Sequence, residues 1–265
     1  MQVVLEEVTK RYRSGDDPAV AAVSLAAEDG ERVSVIGPSG AGKTTLFRLL
    51  TRSLVPDSGS VRIGGAELDR LGQRDLRRLR QRLGVVHQRG DLVPMSSALS
   101  NVAAGALGGA GSAAALRLSL RGPLADVARR SYEALDEVEI GSLAHARVDE
   151  LSGGQRQRVA VARLLVQRPE LIMADEPTAS VDQRSAGIVL AALERLAAAG
   201  ATLLIATHDL AIARRHHRIL ALQRGRVAFS GSSHELVADV VERVYAADFE
   251  AHDPDGRALL RRGCG

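Results

Sequence analysis

Lysine is nearly missing from this chain: of 35 Lys and Arg side chains in 265 residues, only Lys10 and Lys43 are lysines. Aromatic residues are scarce as well, with three Phe, three Tyr and no Trp. A core must therefore be built from Ala, Val, Leu and Ile, and an aromatic in a polar stretch stands out. The single cysteine, Cys264, can form neither an internal disulfide nor a metal cluster by itself, which argues against a disulfide-stapled secreted scaffold and for a reducing compartment. No run reaches the about 18 to 20 apolar residues that a membrane helix needs. The opening MQVVLEEVTKRYRSG also places charges where a signal peptide carries its apolar stretch. A chain that is neither exported nor membrane-spanning by itself is expected. Basic excess is small, a net charge of +3 with arginine spread throughout, so no nucleic-acid partner is expected.

What is present alternates between strand and helix patterns. Apolar stretches at Val3 to Val8 and Val20 to Leu25 read as strands separated by a polar turn, and Arg32 to Ile36 reads as a buried strand. Further strands are expected at Ser60 to Ile63, Leu83 to Val86, Leu171 to Asp175, Thr202 to Thr207 and Ile219 to Leu222, with helical patterns between them. That alternation predicts an α/β fold with a mainly parallel sheet. From Ser97 to Gln167 the strand signal disappears, which predicts an inserted helical subdomain over about 97–167. Within it, Gly105 to Ser112 reads as a flexible connection or a poorly capped helix. Asp69 to Arg82 interleaves six arginines with leucines and reads as an amphipathic helix with a solvated face. The last residues, 246–265, read as a short appendage.

Three strings carry chemistry. Gly37-Pro38-Ser39-Gly40-Ala41-Gly42-Lys43-Thr44 fits the phosphate-binding pattern G-x-x-x-x-G-K-[ST] between an expected strand and an expected helix over Lys43 to Leu54. Glycines let backbone N–H groups turn in around phosphate oxygens, Lys43 would reach the β- and γ-phosphates, and Thr44 would coordinate Mg²⁺. Leu171 to Ala174 end in Asp175 and Glu176, which in an open parallel sheet should emerge beside that loop, Asp175 toward Mg²⁺ and Glu176 toward an attacking water. Leu151-Ser152-Gly153-Gly154-Gln155 precedes an expected helix from Arg156 to Arg168, with Ser152 suited to cap it.

That last string is the LSGGQ motif, and with it the chain resembles the nucleotide-binding subunit of an ABC transporter from about Val3 to about Tyr245. Tyr12 falls at the family's adenine-stacking aromatic, Gln88 at the glutamine that contacts Mg²⁺ and water, Ser180-Val181-Asp182 at the loop between subunits, and His208 at the γ-phosphate switch histidine. The resemblance implies a P-loop NTPase of the ABC ATPase fold: a RecA-like parallel-sheet core, an N-terminal antiparallel β-subdomain and the inserted helical subdomain, all in one domain over 1–245. It implies ATP hydrolysis with Mg²⁺, with Glu176 as base, His208 as orienter, Lys43 and Gln88 assisting, and Thr44, Gln88 and Asp175 toward the metal. ATP contacts would come from Tyr12, from 37–44 together with Thr45, and from Asp182 and Ser152 to Gln155 across a nucleotide-sandwiched dimer.

Separate permease subunits would then hold the chain on the cytoplasmic face of the membrane, with a solute-binding protein completing an importer. Asp91-Leu92-Val93-Pro94, Ser100-Asn101-Val102, Ala174-Asp175-Glu176-Pro177 and Val237 to Ala246 are similar to the phosphonate importer branch. Asp91, Gln183 and Thr207-His208-Asp209 depart from that branch. Amino-acid import, lipoprotein release and an accessory role in carbon–phosphorus lyase stay open.

Overall fold

The computed structural model describes residues 1–13, 15–87, 92–109, 124–179 and 181–252. In chain order these form β1 (Val3–Lys10), β2 (Val20–Ala27), β3 (Arg32–Ile36), α1 (Lys43–Leu50), β4 (Ser58–Ile63), β5 (Ala66–Glu67), α2 (Gln73–Gln81), β6 (Leu83–Val86) and α3 (Ala98–Ala103). They continue as α4 (Ala125–Glu137), α5 (Gly153–Gln167), β7 (Leu171–Asp175), α6 (Gln183–Ala198), β8 (Thr202–Ala206), α7 (Leu210–Ala213), β9 (Arg218–Gln223), β10 (Arg226–Ser232) and α8 (Ala238–His252).

An N-terminal antiparallel sheet runs in the order β2-β1-β4-β5. The central sheet runs β10-β9-β3-β8-β7-β6, parallel from β9 to β6 with β10 antiparallel at the edge. Its inner strands are apolar without alternation because both faces are covered. Leu171, Met173, Leu204 and Ala206 pack toward α1 and the N-terminal sheet, where Phe47 is 2% exposed. Ile172, Ala174, Leu203 and Ile205 pack toward the helical side, with Val159 and Leu164 of α5 and Leu193 of α6. Each of the Leu, Ile, Val, Met and Phe side chains contributes about 1.5–3 kcal/mol when fully buried. Because β3, β7 and β8 are parallel and in register, their carboxyl ends deliver Gly37, Glu176 and Thr207 to one edge of the sheet.

Several boundaries differ from the sequence reading. α1 stops at Leu50 rather than Leu54, because the N–H groups of Ser53 (2.9 Å) and Leu54 (3.1 Å) fold back onto the Arg48 carbonyl while Arg52 takes a left-handed conformation at φ 51°. α5 begins at Gly153 rather than Arg156, since Ser152 caps it and the two glycines form its first turn. β10 went unread because Arg226 to Ser232 is mostly exposed and buries only part of Phe229. α8 crosses the expected tail boundary at 245/246 and runs to His252, anchored by Val240 and Val244 against Ile219 and Ala221. In the helical region, Ala104–Gly109 form a 3-10 helix, and the rest of the expected 105–112 connection lies outside the described residues. The arginine-rich segment is a helix with Leu76 and Leu79 buried and Arg74, Arg77, Arg78 and Arg80 exposed, so its charges face solvent.

Candidate functional site

The turn after β3 wraps tightly against the sheet. Gly37 has φ 147°, and a Cβ there would lie 2.1 Å from the Leu222 carbonyl oxygen, so only glycine fits. The Gly225 N–H, at the β9–β10 turn, donates to the Ala41 carbonyl (3.1 Å) and braces the loop from the other side. Lys43, at the start of α1, is 6% exposed and donates through Nζ to the carbonyls of Gly37 (2.7 Å) and Pro38 (3.1 Å). Its ammonium also faces Glu176 Oε1 at 3.7 Å.

β7 brings the two acids to this loop. Asp175 is 6% exposed and lines the cleft together with Thr44. Burial pushes the Asp175 carboxyl above its usual range, and the charge of Glu176 adds to that, while Thr44, His87 and Lys43 oppose it. A hydroxyl and a buried carboxylate in one cleft suit Mg²⁺, which is usually held by one or two protein oxygens and completed by substrate phosphates. Glu176 adopts φ 48°, with its N–H bonded to the Ala206 carbonyl at 2.9 Å, a left-handed turn that costs a non-glycine residue about 1–3 kcal/mol. That turn aims its carboxylate between Lys43 and His208, whose Nδ1 lies 3.7 Å from Glu176 Oε2. Asp175, Glu176, Lys43 and Thr44 thus meet in one cleft of about 460 Å³, with Tyr12, Ala19, Ser39, Gly40, Ala41, Gly42 and Thr45 as its other walls.

Tyr12 is 54% exposed at the mouth of the cleft, with its hydroxyl 3.1 Å from Thr45 Oγ1. Its loop is held by a residue the sequence reading passed over. Asp57 accepts from Lys10 Nζ (2.7 Å) and from the Arg11 backbone N–H (2.6 Å), and the Lys10 bond leads in holding the Asp57 carboxyl below its usual range. Both lysines of the chain therefore serve this cleft. The placement of His87 near Asp175 was also unforeseen, because it needs β6 and β7 to be neighbours. Gln88 and Ser180 lie outside the described residues.

Ser152 to Gln155 are not among the walls of this cleft. Ser152 accepts from the Gln155 N–H (3.2 Å), and the Gln155 side chain accepts from the Ser152 N–H (2.8 Å), a reciprocal cap at the start of α5. Ser152 and Gly153 are exposed. Gly154 is buried against α6, where a Cβ would lie 2.8 Å from Ser185 Oγ and 3.1 Å from Asp182 Oδ2. Asp182 in turn caps α6, accepting from the Ser185 N–H at 2.9 Å, and those Ser185 bonds hold its carboxyl below the usual range. The two expected cross-dimer segments therefore pack on each other within one chain.

A family model described as ABC transporter matches residues 20–179. The chain belongs to the ABC transporter family. A phosphonates import ATP-binding protein PhnC 1 of Ruegeria sp. (strain TM1040) is 41% identical over 244 residues, covering 91% of this chain and 93% of that protein. A PhnC of the same description from Rhodopseudomonas palustris (strain BisB5) is 41% identical over 265 residues, 99% of this chain and 96% of that protein. Among solved structures, the ATP-binding cassette MJ0796, in a dimeric post-hydrolysis state bound to ADP and Pi, superposes with a TM-score of 0.75 at 33% identity, over 87% of this chain and 98% of that one. CbiO1 from Clostridium perfringens, part of the transporter complex cbiONQ, gives a TM-score of 0.72 at 27% identity, over 95% of each chain. This ABC protein has the ABC ATPase fold, and binding and hydrolysis of ATP are its activity. No helix among the described residues is long and apolar enough to cross a membrane.

Proposed function

We propose that the chain is the ATPase subunit of a phosphonate importer, working as a homodimer that holds two ATP molecules between its copies. The observation that carries the ATPase part is the meeting of Lys43, Thr44, Asp175 and Glu176 in one cleft at the sheet edge. In this reading the backbone of 37–44 and the Lys43 ammonium cradle the phosphates, and Lys43 exchanges its bonds to the Gly37 and Pro38 carbonyls for phosphate oxygens. Tyr12 stacks on the base. Glu176 accepts a proton from the attacking water, and His208 holds that water and the γ-phosphate in line. Thr44 and Asp175, with Gln88, would hold Mg²⁺, which when bound would supply positive charge against that developing on the phosphates. Ser152 to Gln155 and Asp182 of a second copy close the other side of the γ-phosphate, where the positive end of α5 favours triphosphate over diphosphate.

Coupling to transport requires two permease subunits, which place the chain peripherally on the cytoplasmic face of the membrane, and a solute-binding protein outside it. Phosphonate as the cargo rests on the names of relatives that span nearly the whole chain. Removing the gene from its host is expected to abolish growth on an alkylphosphonate as sole phosphorus source and to leave growth on phosphate unchanged. Unimpaired growth on the alkylphosphonate, together with an active purified ATPase, would assign the chain to another cargo.

A further inference from the structure

Away from the cleft, a second polar cluster is sealed in the core. Ser34 of β3 is fully buried, and its Oγ lies 2.6 Å from His216 Nδ1 and 3.3 Å from the Ala213 carbonyl oxygen at the end of α7. His216 is 2% exposed, and its Nε2 faces Glu194 Oε1 of α6 at 3.5 Å, long for a hydrogen bond. Arg32 of β3 donates to the other Glu194 oxygen at 3.0 Å. The three elements joined here all begin or end at the nucleotide edge. β3 runs into Gly37, α6 starts from Asp182, and α7 starts from Asp209, next to His208, with Asp209 Oδ1 accepting from the Ala211 N–H at 2.7 Å.

The single proton of Ser34 makes this cluster a two-state relay. In the neutral His216 tautomer protonated at Nε2, Ser34 donates to Nδ1 and the Nε2 proton points at Glu194. With His216 charged, Nδ1 donates to Ser34, whose proton then turns to the Ala213 carbonyl. The charged and titratable groups around the ring are Glu194 from α6, Arg32 from β3 and the adjacent His217; burial is the largest influence, Glu194 opposes it, and the net effect lowers the imidazole pKa. Burial favours the neutral ring, and the Glu194 carboxylate opposite Nε2 favours the tautomer protonated there, with Nδ1 accepting from Ser34.

The geometry points to His216 as a positioning residue for ATP hydrolysis: held between Ser34 and Glu194, it fixes α7, and with it His208, relative to the strand that carries the phosphate loop. This rests on the reading of His208 as the residue that orients the γ-phosphate. None of these relay groups is a wall of the nucleotide cleft, so the relay acts on turnover and not on ATP binding.

The test compares kcat and KM for ATP in Ser34→Ala, His216→Leu and His216→Asn, with the ring nitrogens of His216 followed by NMR in the full chain. Ser34→Ala removes one buried oxygen and keeps the core filled. It is expected to lower kcat about tenfold, as a small misplacement of a catalytic group does, with KM unchanged within about twofold. His216→Leu should match that loss, and His216→Asn, whose amide oxygen can still accept from Ser34, should recover much of it. NMR should show Nδ1 unprotonated and Nε2 protonated at neutral pH. A protonated Nδ1, an unchanged kcat in Ser34→Ala, or kcat and ATP affinity falling together in step with melting temperature would each overturn the proposal. If His208→Ala itself kept the parental kcat, the role of His208 would fall, while the tautomer would still report on the relay.

Discussion

The nucleotide cleft and the Ser152 to Gln155 segment are both phosphate-facing parts of the same proposed machine, yet they are built in opposite ways. In the cleft, charge is concentrated and held under strain: a buried lysine, a buried carboxyl pushed up in pKa and a glutamate in a left-handed turn. Such an arrangement stores cost at the site. The Ser152 segment stores nothing comparable. Its first hydrogen bonds are satisfied by its own cap, Ser152 and Gly153 are exposed, and Gly154 is packed against the helix capped by Asp182. One region is assembled within the chain; the other, in the proposed dimer, would meet a surface of the second copy.

Breaking the cleft should therefore cost most. Glu176→Gln keeps size and removes the proton acceptor, so hydrolysis is expected to fall by about 10²–10⁴-fold with ATP still bound, as phosphate release and nucleotide binding assays would show. A variant that turns over at the parental rate would remove Glu176 from this role. Lys43→Ala takes away the ammonium from the cradle, and ATP affinity is expected to drop by about ten- to a hundredfold, a loss of about 1.5–3 kcal/mol typical of a hydrogen bond to a charged group. Titration calorimetry reads it directly. Normal affinity would contradict the phosphate-loop assignment.

The smallest effect sharpens the idea of stored cost. Because burial raises the Asp175 pKa above that of the unfolded chain, the folded protein binds that proton more tightly, and this group favours the fold as pH falls through the raised value. At neutral pH its charge opposes folding. Asp175→Asn is expected to raise the melting temperature of the nucleotide-free protein by about 2–4 °C, equivalent to about 1 kcal/mol in a chain of this size, while removing Mg²⁺-dependent stabilisation by ATP. A melting temperature that falls would show that the charge is already compensated.

Much of this was legible in the sequence because phosphate chemistry demands particular residues in a fixed order, and one strand–glycine–helix unit is local. Gly37 to Thr44 and the pair Asp175-Glu176 could be placed from the chain alone, since a parallel sheet brings strand ends together. The role of Asp57 could not, because its partners Lys10 and Arg11 reach it across the pairing of β1 with β4. The same holds for His216, an unremarkable histidine in ARRHHR until three elements close around it. A compositional signal was available: with only two lysines, Lys10 merited the attention given to Lys43.

The difference between the two regions is tested most directly by the mass of Glu176→Gln in solution, by light scattering with Mg²⁺ and either ATP or ADP. If the Ser152 segment completes the cleft of a second copy, ATP should bring the mass to about twice the 28.0 kDa of the chain and ADP should not. Saturation with ATP at an unchanged 28.0 kDa would contradict a site shared between two chains.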